Sequence, residues 1–256
     1  MTYLSAHTWR EVEASFGEDT IAILPVGSLE PHGPHLPLDT DLRVALASAT
    51  RAAELLAAVQ VQTIILPPLP YGITRSAQDF PGGVTLRPGT LWAFVEDLVL
   101  SLQQDGIRQL VLANGHHESE HMRILANLAS DYSERGPGCC QLLHPRAGSL
   151  DFDERECHGG RRETSLMLAI APECVRREEL AELPAVELDL ADAQPLAGQS
   201  LLELGASGGY CGDPAAATVE EGRALLEQSA GELVEACRAA WPDLFGTFRG
   251  SELPVQ

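Results

Sequence analysis

Residues 20–27 read TIAILPVG, a continuous apolar run that ends at a glycine. Such a run is typical of a strand that is buried on both faces of a parallel sheet. Similar short runs predict strands at residues 61–66, 109–113 and 140–143. Apolar residues at helical spacing predict the helices between and after them, over residues 42–59, 90–104, 118–132 and 163–170. We expect Thr90 to cap the second of these helices, while Thr218 and Glu221 have capping-box spacing at the start of a last helix that runs to about residue 240.

The alternation of strands and helices predicts the fold class. Strands separated by helices of 10–20 residues favour a mostly parallel sheet covered on both faces, which is a three-layer α/β/α architecture. The sequence contains no repeat and no interdomain linker, so we expect one domain over residues 1–256. Residues 178–204 are acidic and weakly periodic, and we interpret them as a surface excursion.

Composition excludes several classes of function. The chain has 17 basic and 37 acidic residues, a net charge of −20, which disfavours binding to nucleic acids or anionic membranes. All the basic residues are arginines, so a Schiff-base lysine, a phosphate-loop lysine and a Ser–Lys dyad are excluded. No apolar run approaches the roughly 20 residues that span a bilayer, and the N-terminus does not have the pattern of a signal peptide. We therefore expect a cytoplasmic protein.

Residues of the types that bind metals form three groups, each at the end of a predicted strand or the start of a predicted helix. Glu30, His32 and Asp41 follow the first strand, residues 116–118 (HHE) follow the third, and residues 158–163 (HGGRRE) precede a helix. Ligands of parallel sheets gather at the carboxyl ends of the strands, so scattered surface polarity explains these groups poorly. Imidazole and carboxylate groups together suit zinc, manganese or iron(II). The carboxylates outnumber the needs of one tetrahedral zinc, and two ions about 3.5–4 Å apart, bridged by a carboxylate and a water, would use them all.

The segments that carry these residues resemble a known family. Residues 24–41 (LPVGSLEPHGPHLPLDTD), 112–119 (LANGHHES) and 158–168 (HGGRRETSLML) are similar to the signatures of the creatininase (creatinine amidohydrolase) family. Residues 80–86 (FPGGVTL) and 212–223 (GDPAAATVEEGR) extend the resemblance. It implies an α/β/α fold, a binuclear metal centre, hydrolysis of non-peptide amides or formamides, and a homo-oligomer, commonly a hexamer.

The resemblance also implies roles for individual residues. The implied metal ligands, for two divalent ions that we expect to be zinc, with manganese or iron as alternatives, are Glu30, His32, Asp41, His116, Glu118 and Glu163. Asp41 would bridge the two ions, and Glu118 is also assigned a catalytic role. His158 would donate a proton to the departing nitrogen, since histidine titrates near neutral pH. His117 and Thr74 are predicted to line the substrate pocket.

The remaining histidines are predicted to have lesser roles. We interpret His35 as a residue that fixes its loop, and we assign no function to the three histidines that lie outside the motifs, which are His7, His121 and His144.

The substrate is left open by departures from the family pattern. Residues 151–157 (DFDEREC) lack the tryptophan that creatininase has before its proton-handling histidine, and residues 114–119 (NGHHES) differ from the NGHGGN of other relatives. A hydrolase of a small amide, cyclic amide or formamide is the leading hypothesis. The alternatives are a peptidase that trims a modified peptide in cofactor maturation, a metallophosphoesterase, and a metal-stabilised protein without activity. A phosphoesterase would need more arginines than Arg161 and Arg162 near the ligands, and an inactive protein would be expected to have lost ligands.

Overall fold

A four-stranded parallel sheet lies at the centre of the structure, a computed structural model that describes residues 3–135, 140–143, 158–188 and 199–246. The strands are β1 (Ile21–Val26), β2 (Thr63–Ile65), β3 (Gln109–Asn114) and β4 (Cys140–Leu143), in the order β2-β1-β3-β4. β1 is central and buried along its whole length, as its apolar sequence predicts. It pairs with β3 from Ile21 opposite Gln109 to Val26 opposite Asn114, so the two strands end at the same level.

The described ranges contain seven α-helices. They are α1 (Trp9–Ser15), α2 (Thr40–Ala58), α3 (Pro88–Gln104), α4 (Ser119–Arg135), α5 (Arg161–Ile170), α6 (Arg177–Ala181) and α7 (Val219–Ala240). In the described parts of the chain, no helix is both long and apolar enough to cross a bilayer.

The two faces of the sheet carry separate apolar cores. Ala22 and Leu24 of β1 pack with residues of α3 and α4, such as Leu91 and Leu125. The alternate residues of β1 face the other side, where they pack with α2 and α7 in a core that includes Leu56 and Val234. The α/β/α fold predicted from the sequence is therefore confirmed.

The strand order creates a switch point between β1 and β3. The chain leaves β1 through α2 to reach β2 on one side, and then returns through α3 on the opposite face to reach β3. Crossovers that run in opposite directions place their helices on opposite faces when both are right-handed. The loops after β1 and β3 therefore diverge, and the crevice between their carboxyl ends is the usual ligand position in such sheets.

Two helix starts differ from the sequence prediction. α3 begins at Pro88, with Arg87 as N-cap and no side-chain cap, so the capping role predicted for Thr90 is wrong. Proline suits the first helical position because its missing N–H has no partner there. At α7, Thr218 accepts a hydrogen bond from the backbone N–H of Glu221 (3.2 Å) as predicted, but the Glu221 carboxylate accepts from Ser165 Oγ at 2.7 Å instead of closing a capping box. Of the predicted excursion at 178–204, residues 189–198 lie outside the described part, as do His144 and residues 151–157.

Candidate metal centre

Side chains from four separate segments meet at the switch point. Glu30 and His32 lie in the loop after β1, Asp41 lies in the first turn of α2, His116 follows β3, and Glu163 lies in the first turn of α5. The end of β3 approaches α2 closely at Gly115, where a Cβ atom would lie 2.3 Å from the backbone oxygen of Asp41. Only glycine permits this approach, which brings His116 beside Asp41.

Asp41 lies at the centre of the cluster and is shared by two groups of donor atoms. Its Oδ1 lies 3.0 Å from Nε2 of His32, and its Oδ2 lies 2.9 Å from Nδ1 of His116. Ser28 Oγ donates a further hydrogen bond of 2.7 Å to Oδ2. Asp41 and His116 form one group with Glu30, while Asp41 and His32 form a second with Glu163, and within each group the donor atoms lie within 4.8 Å of one another.

Each histidine of the cluster is oriented by a backbone carbonyl on its outer side. Nδ1 of His32 donates to the carbonyl of Glu30 (3.0 Å), and Nε2 of His116 donates to the carbonyl of Ile73 (2.7 Å). Nε2 of His158 donates in the same way to the carbonyl of Pro31 at 2.6 Å. Since a carbonyl accepts only, the hydrogen of each neutral ring must lie on that outer nitrogen, and the nitrogen that faces the carboxylates is free to bind a cation.

When no cation is present, the neighbouring carboxylates favour the protonated form of the His32 and His116 rings. Burial opposes the charged form of His32, but the carboxylates of Asp41 and Glu163 more than offset this and raise its pKa to about 10. Burial acts in the same way on His116, where Glu30 and Asp41 raise the pKa well above its usual range. Burial favours the neutral form of Asp41, yet His32 and His116 hold the pKa of this carboxyl well below its ordinary value.

The donor set fits divalent metal ions. Metal-binding histidines almost always donate their second ring N–H to a carbonyl, a carboxylate or water, and the rings of His32 and His116 do so. Protons on the inner nitrogens of His32 and His116 occupy the positions between nitrogen and carboxylate where a cation would bind, and ions would displace them. Each group supplies three protein donors, as catalytic zinc sites do.

Two further predicted site residues lie at the edges of this cluster: Glu163 as a member of the second donor group, and Thr74 as a contact of Glu30. The Glu163 carboxylate accepts the backbone N–H of Gly159 (2.6 Å) and lies 3.6 Å from Nε2 of His32, with 20% of its side chain exposed. Thr74 is buried, and its hydroxyl donates a hydrogen bond to Oε2 of Glu30. Its position therefore suits holding Glu30 better than contacting a substrate.

His158 lies against the cluster without being enclosed in it. Its ring stacks on His32, with centroids 4.3 Å apart and planes at 29°, and its side chain is 13% exposed. Nδ1 lies 4.0 Å from Oε1 of Glu30. His158, Glu30 and His32 also form a third group of donor atoms close enough to hold an ion.

Glu118 is not brought into any of these donor groups within the described residues. Its Oε2 accepts the backbone N–H groups of Arg75 (2.5 Å) and Ser76 (3.0 Å), as well as the Ser76 hydroxyl (3.2 Å). A cleft of about 350 Å³ opens here, with Glu118, Arg75 and Arg123 in its wall. The geometry thus places Glu118 in a loop contact, whereas its position in the sequence predicts a metal ligand.

His117 and His35 occupy different positions near the site. His117 is exposed and directly follows His116 at the end of β3, just before α4 begins. His35 is fully buried, and its Nε2 makes a 2.8 Å hydrogen bond with the Thr164 hydroxyl, so it ties the β1 loop to α5. Burial and the charge of His32 lower the pKa of His35 to about 4, which keeps this ring neutral.

His121, to which the sequence analysis assigns no function, lies next to the cluster. Its ring is fully buried and packs edge-on against His116, with centroids 4.8 Å apart. The available signal was its position five residues after His116, but nothing in the local sequence indicates that the backbone of Ile73 reaches its ring.

These observations define an α/β protein with a carboxylate–histidine centre suited to divalent ions, at the switch point of a parallel sheet. A family model, Creatininase, described as creatinine amidohydrolase, matches residues 5–237. The creatinine amidohydrolase of Pseudomonas putida is 30% identical over 92% of this chain and 95% of its own length. The mycofactocin precursor peptide peptidase of Mycolicibacterium smegmatis is 30% identical over 88% of this chain and 87% of its own. The chain therefore belongs to the creatininase family of amidohydrolases.

Solved structures agree with this assignment. A mutant creatininase of zinc–zinc type is 27% identical, covers 94% of this chain and 98% of its own, and gives a TM-score of 0.73. A manganese creatininase is also 27% identical. It covers 94% of this chain and 99% of its own, with a TM-score of 0.74.

Proposed function

We propose that this chain hydrolyses the C–N bond of a small amide, cyclic amide or formamide with two divalent ions. Glu30, Asp41 and His116 would hold one ion, and His32, Asp41 and Glu163 the other. The observation that carries the proposal is the sharing of Asp41, whose two oxygens contact the inner nitrogens of two histidines that are fixed from behind by carbonyls. The zinc and manganese of the related structures support these metals, and we propose zinc first.

The bound ions would supply an activated water and an electrophile for the amide oxygen. The protein's own part is to orient the donors and to move one proton. His158 is suited to transfer this proton. Its Nε2–H donates a hydrogen bond to the Pro31 carbonyl, which leaves Nδ1 facing the cluster. A proton at Nδ1 can pass to the departing nitrogen, which a neutral amine requires in order to leave.

The cleft beside Glu118 is the proposed entrance for substrate. Arg75 and Arg123 both contact Glu120 there, at 2.7 and 3.5 Å, so its wall carries charges of both signs. This mixed wall suits a small polar amide. We further propose His117 as a substrate contact and assign Glu118 to holding the loop at residues 75–76.

A peptidase acting on a modified peptide is the second candidate. The observation that favours it is the similarity to the mycofactocin precursor peptide peptidase of Mycolicibacterium smegmatis, whose 30% identity equals that of the Pseudomonas putida enzyme. A peptide substrate would extend beyond the cleft, whereas a small amide would be contained by it.

The experiment is a panel assay with metal-quantified protein. Zinc-loaded and manganese-loaded samples are tested against creatinine, formamides, hydantoins, lactams and short peptides, with Asp41→Ala protein purified in parallel as the control for contaminating hydrolases. We expect close to two ions per chain and turnover of a non-peptide amide. Turnover of peptides alone would favour the peptidase, and saturation at one ion would overturn the shared centre.

Assembly and location are proposed on the family resemblance. We propose a cytoplasmic homo-oligomer, hexameric as in the family, in which exposed apolar residues such as Phe94 and Leu100 of α3 would be covered. Light scattering should give a mass of about six chains, and a mass equal to one chain would contradict this proposal.

A further inference from the structure

His121 connects three segments of the chain behind the cluster. Its ring belongs to α4, lies five residues after His116 and is completely buried. Its Nδ1 accepts a 3.2 Å hydrogen bond from the backbone N–H of Ile73, and its Nε2 makes a 3.0 Å hydrogen bond with Oδ1 of Asn114. It thereby joins the loop after β2 and the end of β3 to α4.

The directions of these hydrogen bonds follow from the chemistry of the groups. A backbone N–H only donates, so Nδ1 of His121 must carry a lone pair and the hydrogen must lie on Nε2. Asn114 agrees with this, because its Oδ1 also accepts the N–H of His116 (3.3 Å) while its Nδ2 donates to the His116 carbonyl (2.5 Å). One arrangement of hydrogens satisfies these four hydrogen bonds, with a hydrogen on Nε2 of His121 and a lone pair on its Nδ1.

The segment that His121 holds carries two contacts to the cluster. The carbonyl of Ile73 accepts Nε2–H of His116, which leaves Nδ1 of that ring facing Asp41 and Glu30. The next residue, Thr74, donates its hydroxyl to Glu30. Two donors of the same proposed ion are thus oriented from residues 73 and 74.

The backbone is shaped to let His121 approach. At Gly72, a Cβ atom would lie 2.8 Å from Nδ1 of His121 and 3.1 Å from the carbonyl oxygen of Gly27. A side chain at residue 72 would therefore separate the ring from the N–H of Ile73.

We propose that His121 is a positioning residue for the metal ion held by Glu30, Asp41 and His116. Through Ile73 it fixes the ring orientation and tautomer of His116, and this inference rests on the proposed metal centre. The competing explanation is that the ring only fills space between α4 and the loop. The two explanations differ in whether the lone pair of Nδ1 matters.

The test compares two substitutions. His121→Leu fills similar space but accepts no hydrogen bond, whereas the Oδ1 of His121→Asn can replace Nδ1 as acceptor for Ile73. Removal of an outer partner of a metal ligand typically costs 10–100-fold in metal affinity. In a zinc titration, we expect His121→Leu to weaken one of the two equivalents by about that factor, and His121→Asn to stay within about threefold of wild type. His7→Leu, a change of the same kind at a histidine that packs on Phe16, is the control and should bind both ions normally.

Three outcomes separate the inference from the proposed function. If wild type binds no zinc, the metal centre itself is wrong. If wild type binds two ions and His121→Leu binds them equally well, or if both variants weaken equally, His121 has no positioning role. If His121→Leu does not fold, ¹⁵N NMR of the imidazoles in zinc-loaded wild type decides, because a hydrogen on Nδ1 of His121 would overturn the inference and one on Nε2 supports it.

Discussion

Among single residues, Asp41 is expected to matter most for metal binding, because its two carboxylate oxygens contact different histidines. Asp41→Ala should remove both proposed ions together, since each donor group would keep only two members. We expect nearly complete loss of activity that added zinc does not restore, with metal per chain measured by elemental analysis.

The matched control for this change is Asp39→Ala, two residues earlier. Asp39 forms a partly exposed ion pair with Arg43 at 2.7 Å, and such pairs contribute about 0–1 kcal/mol to stability. The Asp39→Ala protein should keep both ions and full activity. If Asp41→Ala still held one ion tightly, Asp41 would not be the shared ligand.

His158 tests the separation between binding metal and moving protons. His158→Ala should keep both ions, because its Nδ1 is 4.0 Å from Glu30 and neither proposed ion needs it. General acid–base groups contribute about 10²–10⁴-fold, so kcat should fall by roughly that factor. The fall should be smaller for an amide whose leaving nitrogen is a weak base, which departs without protonation.

A change in metal content would reverse this assignment. Loss of one ion from His158→Ala would make His158 a ligand, through the donor group that it forms with Glu30 and His32. The proton donor would then be sought at His117, or at Cys157 and Glu156 outside the described residues.

At the scale of elements, Glu118 connects the start of α4 to the loop at residues 75–76. Glu118→Ala should leave two ions bound, because each proposed group already has three protein donors, and should raise KM more than it lowers kcat as the cleft wall loosens. Steady-state kinetics on a turned-over amide, together with metal analysis, measure both effects. Asp39→Ala, which removes an ion pair with Arg43 outside the cleft wall, is the control and should leave KM and kcat unchanged. Loss of one ion from Glu118→Ala would restore the ligand role that the sequence predicts.

The elements themselves were largely predictable from the sequence. Residues 20–26 predict a strand and the structure has Ile21–Val26, because a continuous apolar run is compatible with a position covered on both faces. Residues 42–59 predict a helix and the structure has Thr40–Ala58, so that Asp41 lies just inside a helix start. The sequence analysis expects α3 to begin after a cap at Thr90, whereas the helix begins at Pro88. The fixed φ of proline already suits the first helical turn, so no threonine cap is needed.

The sequence predicts which types of residue form the site, but not the hydrogen bonds that hold these residues from outside the cluster. Glu30, His32 and His116 could be placed together because they follow strands that end at one edge of the sheet. The contacts of Glu118, Thr74 and His121 depend on residues 73–76, a loop more than 40 positions from two of them, and no local spacing predicts which way such side chains turn.

At the scale of the whole molecule, the proposed ions would join four segments that are distributed along the sequence from Glu30 to Glu163. The unfolded chain cannot assemble this site, so ions that bind the folded state stabilise it by mass action. Without ions, the protonated rings of His32 and His116 still pair with Asp41, and we expect the chelated protein to remain folded at 25 °C.

Metal removal should therefore lower the unfolding temperature without abolishing the fold. Free zinc at 100 times Kd adds about 2.7 kcal/mol per site, and each kcal/mol shifts Tm by about 2–4 °C in a chain of roughly this size. Calorimetry should show Tm rising by about 5–10 °C when one site is filled under these conditions, and further when both are. The Asp41→Ala protein should show no such rise, while Asp39→Ala should match wild type. An equal Tm for zinc-loaded and chelated wild type, with zinc content confirmed in both, would show that these segments are not joined by metal.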